Sequence, residues 1–87
     1  SMSKLLKLAM GRTFTDPEVA KFFNKNFINV EMDMERGEGK ALSKKLAIKA
    51  YPTLLFINGK GEVVKKKVGY LNAPDFLDLG KSMINQN

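Results

Sequence analysis

Two periods of apolar and polar residues alternate along this chain, and each change of period marks the start of a new element. The longest apolar run is Ala50-Tyr51-Pro52-Thr53-Leu54-Leu55-Phe56-Ile57, broken only by Thr53 and stopped by Asn58-Gly59. Its length and its turn-forming end predict a fully buried β-strand. Pro52 stands at the mouth of that strand, where a missing N–H removes no ladder bond. The Tyr51–Pro52 bond is a candidate for the cis form, because a tertiary amide prefers trans by only about 0.5–1 kcal/mol.

The other segments follow in chain order. From Ser3 to Met10, Leu5, Leu6, Leu8 and Ala9 recur with Lys4 and Lys7 between them, a spacing that predicts a helix stopped by Gly11. A second helix opens at Asp16-Pro17-Glu18. Asp16 is its N-cap, Pro17 is preset for the first helical position, and Glu18 faces the positive helix end. Val19, Phe22 and Phe23, followed by Phe27, form its core face. Ile28, Val30 and Met32 alternate with Asn29, Glu31 and Asp33, as in a strand buried on one side. Met34 to Gly39 reads as a loop, since the carboxylates Glu31, Asp33, Glu35 and Glu38 do not have the spacing of a calcium loop. Leu42 and Leu46 then place a helix at about Lys40 to Ala47, with Lys44 and Lys45 toward solvent.

After the Pro52 strand, Asn58-Gly59-Lys60-Gly61 predicts a hairpin turn, and Glu62 to Val68 pairs back as an edge strand. Its lysines suit an edge, where charge discourages unwanted strand addition. Asn72 caps a last helix that carries Phe76, Leu79, Gly80 and Met83 on one side, and Asn85-Gln86-Asn87 is expected to fray.

Composition narrows the chemistry. The 87 residues form one domain, 1–87, with neither cysteine nor histidine. That removes disulfides, thiolate catalysis, the usual zinc and copper ligands and the common acid/base residue at neutral pH. No nucleophile and base of recognisable spacing remain for a hydrolase, and no metal or cofactor is expected. Fifteen Lys and Arg against nine Asp and Glu leave +6, but only Lys65-Lys66-Lys67 is contiguous. Without interleaved aromatics this reads as solvated surface charge and not a nucleic-acid footprint. Ser1-Met2 reads as a cloning remnant before a start methionine, and no apolar run approaches the roughly 18 residues of a membrane span. As given, the chain is expected to be soluble and cytoplasmic.

Four pieces together carry a resemblance: Phe14-Thr15-Asp16-Pro17-Glu18-Val19-Ala20; Phe27-Ile28-Asn29-Val30 leading to Asp33-Met34-Glu35; Ala50-Tyr51-Pro52-Thr53; and Val68-Gly69-Tyr70. Over about Phe14 to Met83 the chain resembles the C-terminal two-thirds of a thioredoxin-like domain, in particular bacterial thioredoxin-related proteins of the thiol–disulfide interchange type. The resemblance implies an α/β fold in which Pro52 is cis and Ala50, Tyr51 and Pro52 line a groove for extended peptides. Relatives of this type are often exported to the periplasm, so the resemblance leaves the compartment open.

The pattern departs from the family where the redox chemistry would be. Members carry Cys-x-x-Cys at a helix start, where the helix end stabilises a thiolate. Counting back from Phe14 puts those positions near Ser3 and Leu6, and neither side chain can exchange thiols. With Ser3 to Met10 read as a helix, the central strand before it is missing. The expected fold is therefore an incomplete thioredoxin-like sheet of about three strands with four helices. The absent strand would leave a gap of about 9.6 Å between Phe27–Asp33 and Thr53–Ile57, exposing two rows of backbone groups. The expectation is a redox-inactive, self-associating relative of disulfide isomerases, a dimer through exposed strand edges. The alternative is a peptide- or protein-binding module using the Pro52 groove.

Overall fold

The computed structural model describes residues 4–9, 15–48 and 52–84. In chain order the elements are β1 (Lys4–Ala9), α1 (Pro17–Asn26), β2 (Ile28–Asp33), α2 (Gly37–Lys45), β3 (Thr53–Ile57), β4 (Val63–Val68) and α3 (Ala73–Ile84). The strands make one four-stranded sheet in the order β2-β1-β3-β4. β1 is parallel to β2, with Leu6 opposite Val30, and antiparallel to β3, with Leu6 opposite Leu55. β4 closes the sheet antiparallel to β3.

Two expectations change here. The segment expected to be a helix is β1, a strand, and it occupies the position between β2 and β3 that the expected fold left empty. The described residues thus contain four strands and three helices, not three and four, and the gap does not exist. The reason is non-local. Leu5, Leu6, Leu8 and Ala9 satisfy a helical period over too few residues for the helix to stand alone, because isolated helices below about 12–15 residues are marginal in water. As a strand, the same six residues supply partners to the facing edges of both β2 and β3, whose backbone groups would otherwise lie unpaired. Ser3 and Met10, the ends of the predicted helix, lie outside the described residues.

The sheet separates two cores. Leu54 and Phe56 of β3 turn to one face and join Val19, Phe23, Phe27, Phe76 and Met83 under α1 and α3. Phe23 has no exposed surface and sits 5.2 Å from Phe27 and 5.3 Å from Phe76, ring centre to ring centre. Leu55 turns to the other face and joins Met34, Val30, Met32, Leu42, Leu46 and Ile48 beneath α2. This alternation of one strand into two cores explains why the Thr53–Phe56 stretch is apolar without a period of two. Gly80, expected to bring α3 close to the sheet, brings it close to α1. A Cβ there would lie 2.5 Å from Phe22 Cε2 and 2.8 Å from Phe23 Cζ.

The helix ends agree with the caps read from the sequence. Asp16 Oδ1 accepts the N–H groups of Glu18 at 2.8 Å and Val19 at 3.2 Å, and Asn72 Oδ1 accepts that of Asp75 at 2.9 Å. α2 begins at Gly37, three residues before the expected start. It ends in a Schellman arrangement, with Ile48 N–H donating to Ser43 O at 2.8 Å and Ala47 N–H to Lys44 O at 3.2 Å. The left-handed position is held by Ala47, at φ 54°, where glycine is the usual residue.

The close approach at Gly80 and the left-handed backbone at Ala47 are both measurable by chemical denaturation. Gly80→Ala is expected to lower stability by about 1 kcal/mol or more, because the clash with Phe22 and Phe23 outweighs the gain in helix propensity. Ala47→Gly is expected to raise it by up to about 1 kcal/mol, by removing the steric penalty of an L side chain in the left-handed region.

Candidate functional site

The sheet topology gathers one set of chain ends. Because β1 and β2 are parallel and β3 runs against them, the last residues of β1, β2 and β4 and the first residue of β3 share one end of the sheet. The pairs Ala9 with Asp33, Leu8 with Thr53 and Thr53 with Val68 mark it. Pro52 is buried there. Its carbonyl accepts the Gly69 N–H at 2.8 Å, so the β3–β4 ladder runs one pair past Thr53 without needing a proline donor. Gly69 has φ 96° and a Cβ on it would meet nothing within 4 Å, so the backbone conformation, not the space, calls for glycine. Tyr70 follows with 81% of its surface exposed.

Of the three residues expected to line a peptide groove, the structure places Pro52 at this end. Ala50 and Tyr51, and with them the Tyr51–Pro52 bond, lie outside the described residues. Leu6, the position carried over for a second redox cysteine, is in the middle of β1 opposite Val30 and Leu55. It is not at a helix start. Among the described residues the next helix is α1, and the N–H groups of Glu18 and Val19 at its start are taken by the Asp16 carboxylate. The positive helix end therefore already carries a negative charge from its own cap.

Two concavities are lined by described residues. A groove of about 680 Å³ beside α2 is lined by Met34, Glu35, Lys40, Ser43, Lys44, Ala47 and Ile48. Ser43 is buried, but its hydroxyl donates to Gly39 O at 2.7 Å, and no histidine exists to activate it. A smaller cleft of about 400 Å³ lies between the starts of α1 and α3, with Asp16, Glu18, Pro74, Leu77, Asp78 and Lys81 around it. No group of three or more His, Cys, Asp or Glu residues is arranged to hold a metal among the described residues. Nor is any of their helices long and apolar enough to cross a membrane. The α2 groove escaped the sequence reading because it depends on how Met34 and Ile48, fourteen positions apart, meet across a helix.

What the sheet end and its two helical faces define is an α/β domain of thioredoxin-like fold. The model of the thioredoxin-like domain family matches residues 3–84, and the chain belongs to that family. Among solved structures it is similar to the solution structure of a candidate disulphide-isomerase from Bacteroides thetaiotaomicron. The two are 39% identical with a TM-score of 0.77, over 98% of this chain and 78% of that one. A thioredoxin from Thermus thermophilus shares the fold at 17% identity and a TM-score of 0.81, over 95% of this chain and 74% of that one. A malarial protein does so at 17% and 0.70, over 94% and 97%. No curated protein matches at a significant level. The chain is thus related to disulfide isomerases and contains no cysteine.

Asp16 is the residue here whose role is simplest to isolate. Asp16→Ala is expected to cost about 1 kcal/mol of stability, and Asp16→Asn much less, in urea denaturation monitored by circular dichroism.

Proposed function

We propose that this chain is a redox-inactive thioredoxin-like domain that works by contact with other polypeptide chains, first of all with its own copies through open strand edges. The observation that carries the first half is chemical. Thiol–disulfide exchange needs an attacking thiolate and a resolving thiol, and the 87 residues provide neither. The second half is supported by the sheet order, which leaves β2 and β4 without an outer neighbour among the described residues. The exposed apolar residues Ile28 on β2 and Val63, Val64 and Val68 on β4 lie on those same two strands. With β1 filling the centre of the sheet, self-association no longer has to repair a missing strand; the open edges motivate it, in pairings that include β2, since two β4 edges would oppose their lysines.

A second reading keeps the Pro52 end as a peptide groove without the redox step. It is favoured by Pro52 held beside the Gly69 turn, with Tyr70 projecting into solvent next to it.

Two measurements test the proposal. In a dithiothreitol-driven insulin reduction assay the chain is expected to give the uncatalysed rate, and any acceleration that scales with protein concentration overturns redox inactivity. In size exclusion with light scattering over a dilution series, a mass above that of one 9.7 kDa chain at micromolar concentration is expected, and a single-chain mass throughout overturns self-association.

A further inference from the structure

We infer that the outer edge of β4 is a docking site for an acidic, extended segment of a different polypeptide, added as a fifth strand of the sheet. This rests on the reading of the domain as one that works by protein contact, and it names the chemistry of one partner.

The phase of the β3–β4 ladder determines which backbone groups are free. In an antiparallel pair, residues alternate between positions that exchange hydrogen bonds with the partner and positions that do not. The Gly69 N–H to Pro52 carbonyl bond sets that phase at one end of β4, and the Asn58 N–H to Glu62 carbonyl bond at 3.0 Å sets it at the other. The two phases are reconciled by the irregularity between Phe56 and Ile57, where Ile57 faces Val63 and Phe56 faces Lys65. Lys65 and Lys67 then occupy the bonded positions opposite Phe56 and Leu54. Lys66 and Val68 turn their N–H and C=O groups outward, to an edge with no neighbour among the described residues.

The side chains state what could pair there. Opposed residues share a face of the sheet. Lys65 and Lys67 therefore stand on the side of Leu54 and Phe56, and Lys66 on the side of Leu55. None of the three has an ion-pair partner among the described residues. An added strand with consecutive acidic residues would set one carboxylate beside each lysine, on both faces at once. A second copy of β4 would set lysine against lysine, which is unfavourable. A nucleic acid would meet a charge divided between two faces and could not use the outward N–H and C=O groups as a polypeptide backbone can. The valines before and after the lysines, each close to half exposed, give an added strand apolar neighbours as well.

The test uses the full chain and a labelled peptide, Thr-Val-Glu-Glu-Glu-Val-Thr, with its lysine counterpart as control. Fluorescence anisotropy at low salt is expected to show binding of the glutamate peptide only. Replacing Lys65, Lys66 and Lys67 together by Glu is expected to weaken that binding about tenfold or more, as the loss of three cross-strand pairs implies, and to create binding of the lysine peptide. Amide hydrogen exchange on the unmodified protein keeps the test independent of any variant's folding. The N–H groups of Lys66 and Val68 are expected to become protected on peptide addition, and those of Lys65 and Lys67 to change little. No binding of the glutamate peptide overturns the inference and leaves the lysines as protection of an edge. Binding without protection at Lys66 and Val68, or equal binding of a single-stranded oligonucleotide, also overturns it. The light-scattering mass of the same samples reports self-association separately, so either idea can fail while the other stands.

Discussion

The pairing of β1 between β2 and β3 is the constraint on which the rest of this domain depends. It is a contact between residues far apart in the chain, Leu6 with Val30 on one side and with Leu55 on the other. It turns two separate pieces, β2 with its helices and the β3–β4 hairpin, into one sheet with two faces. Without it, each piece would leave a row of unpaired backbone groups in apolar surroundings. With it, α1 and α3 have a continuous floor on one side and α2 has one on the other.

The floor is used unequally. On the α1 and α3 side, a chain of phenylalanine rings from Phe22 to Phe76 joins the helices to Phe56, and Gly80 lets α3 settle against the rings of α1. On the α2 side a single nine-residue helix covers the sheet, held by Leu42, Leu46 and Ile48. The outer strands receive the least cover. β4 in particular combines exposed valines, three lysines and an outward-facing backbone. The proposed contacts use that edge; elsewhere, the Pro52 carbonyl holds the Gly69 N–H and the start of α1 carries its own Asp16 cap.

Much of this was legible in the sequence because it is local. Asp16-Pro17-Glu18 and Asn72 act as caps within a few residues of themselves, and the hairpin is set by Asn58, whose Oδ1 accepts the N–H groups of Lys60 and Glu62. The Thr53–Phe56 stretch is buried because Leu54, Leu55 and Phe56 are apolar on both faces, and the lysines of β4 belong at an edge for the same reason reversed. The absence of cysteine and histidine set the chemical limits before any fold was considered. The family, too, could be read from short pieces that keep their order.

What only the tertiary structure decided is the state of Lys4–Ala9 and everything that follows from it. Over six residues, lysines and leucines satisfy a helical and an extended pattern equally well, so the local free energies do not separate them. The choice is made by the backbone groups of β2 and β3, which a strand can pair and a helix cannot. The same holds for the phase of β4, since which of its lysines turn their backbone outward depends on the Pro52–Gly69 bond, and for Gly80, whose neighbour is a helix nearly sixty residues away in the chain. Local side-chain chemistry determined the caps, the turn, the buried strand and the excluded reactions; hydrogen bonding between distant segments determined how many strands there are and which edges remain open.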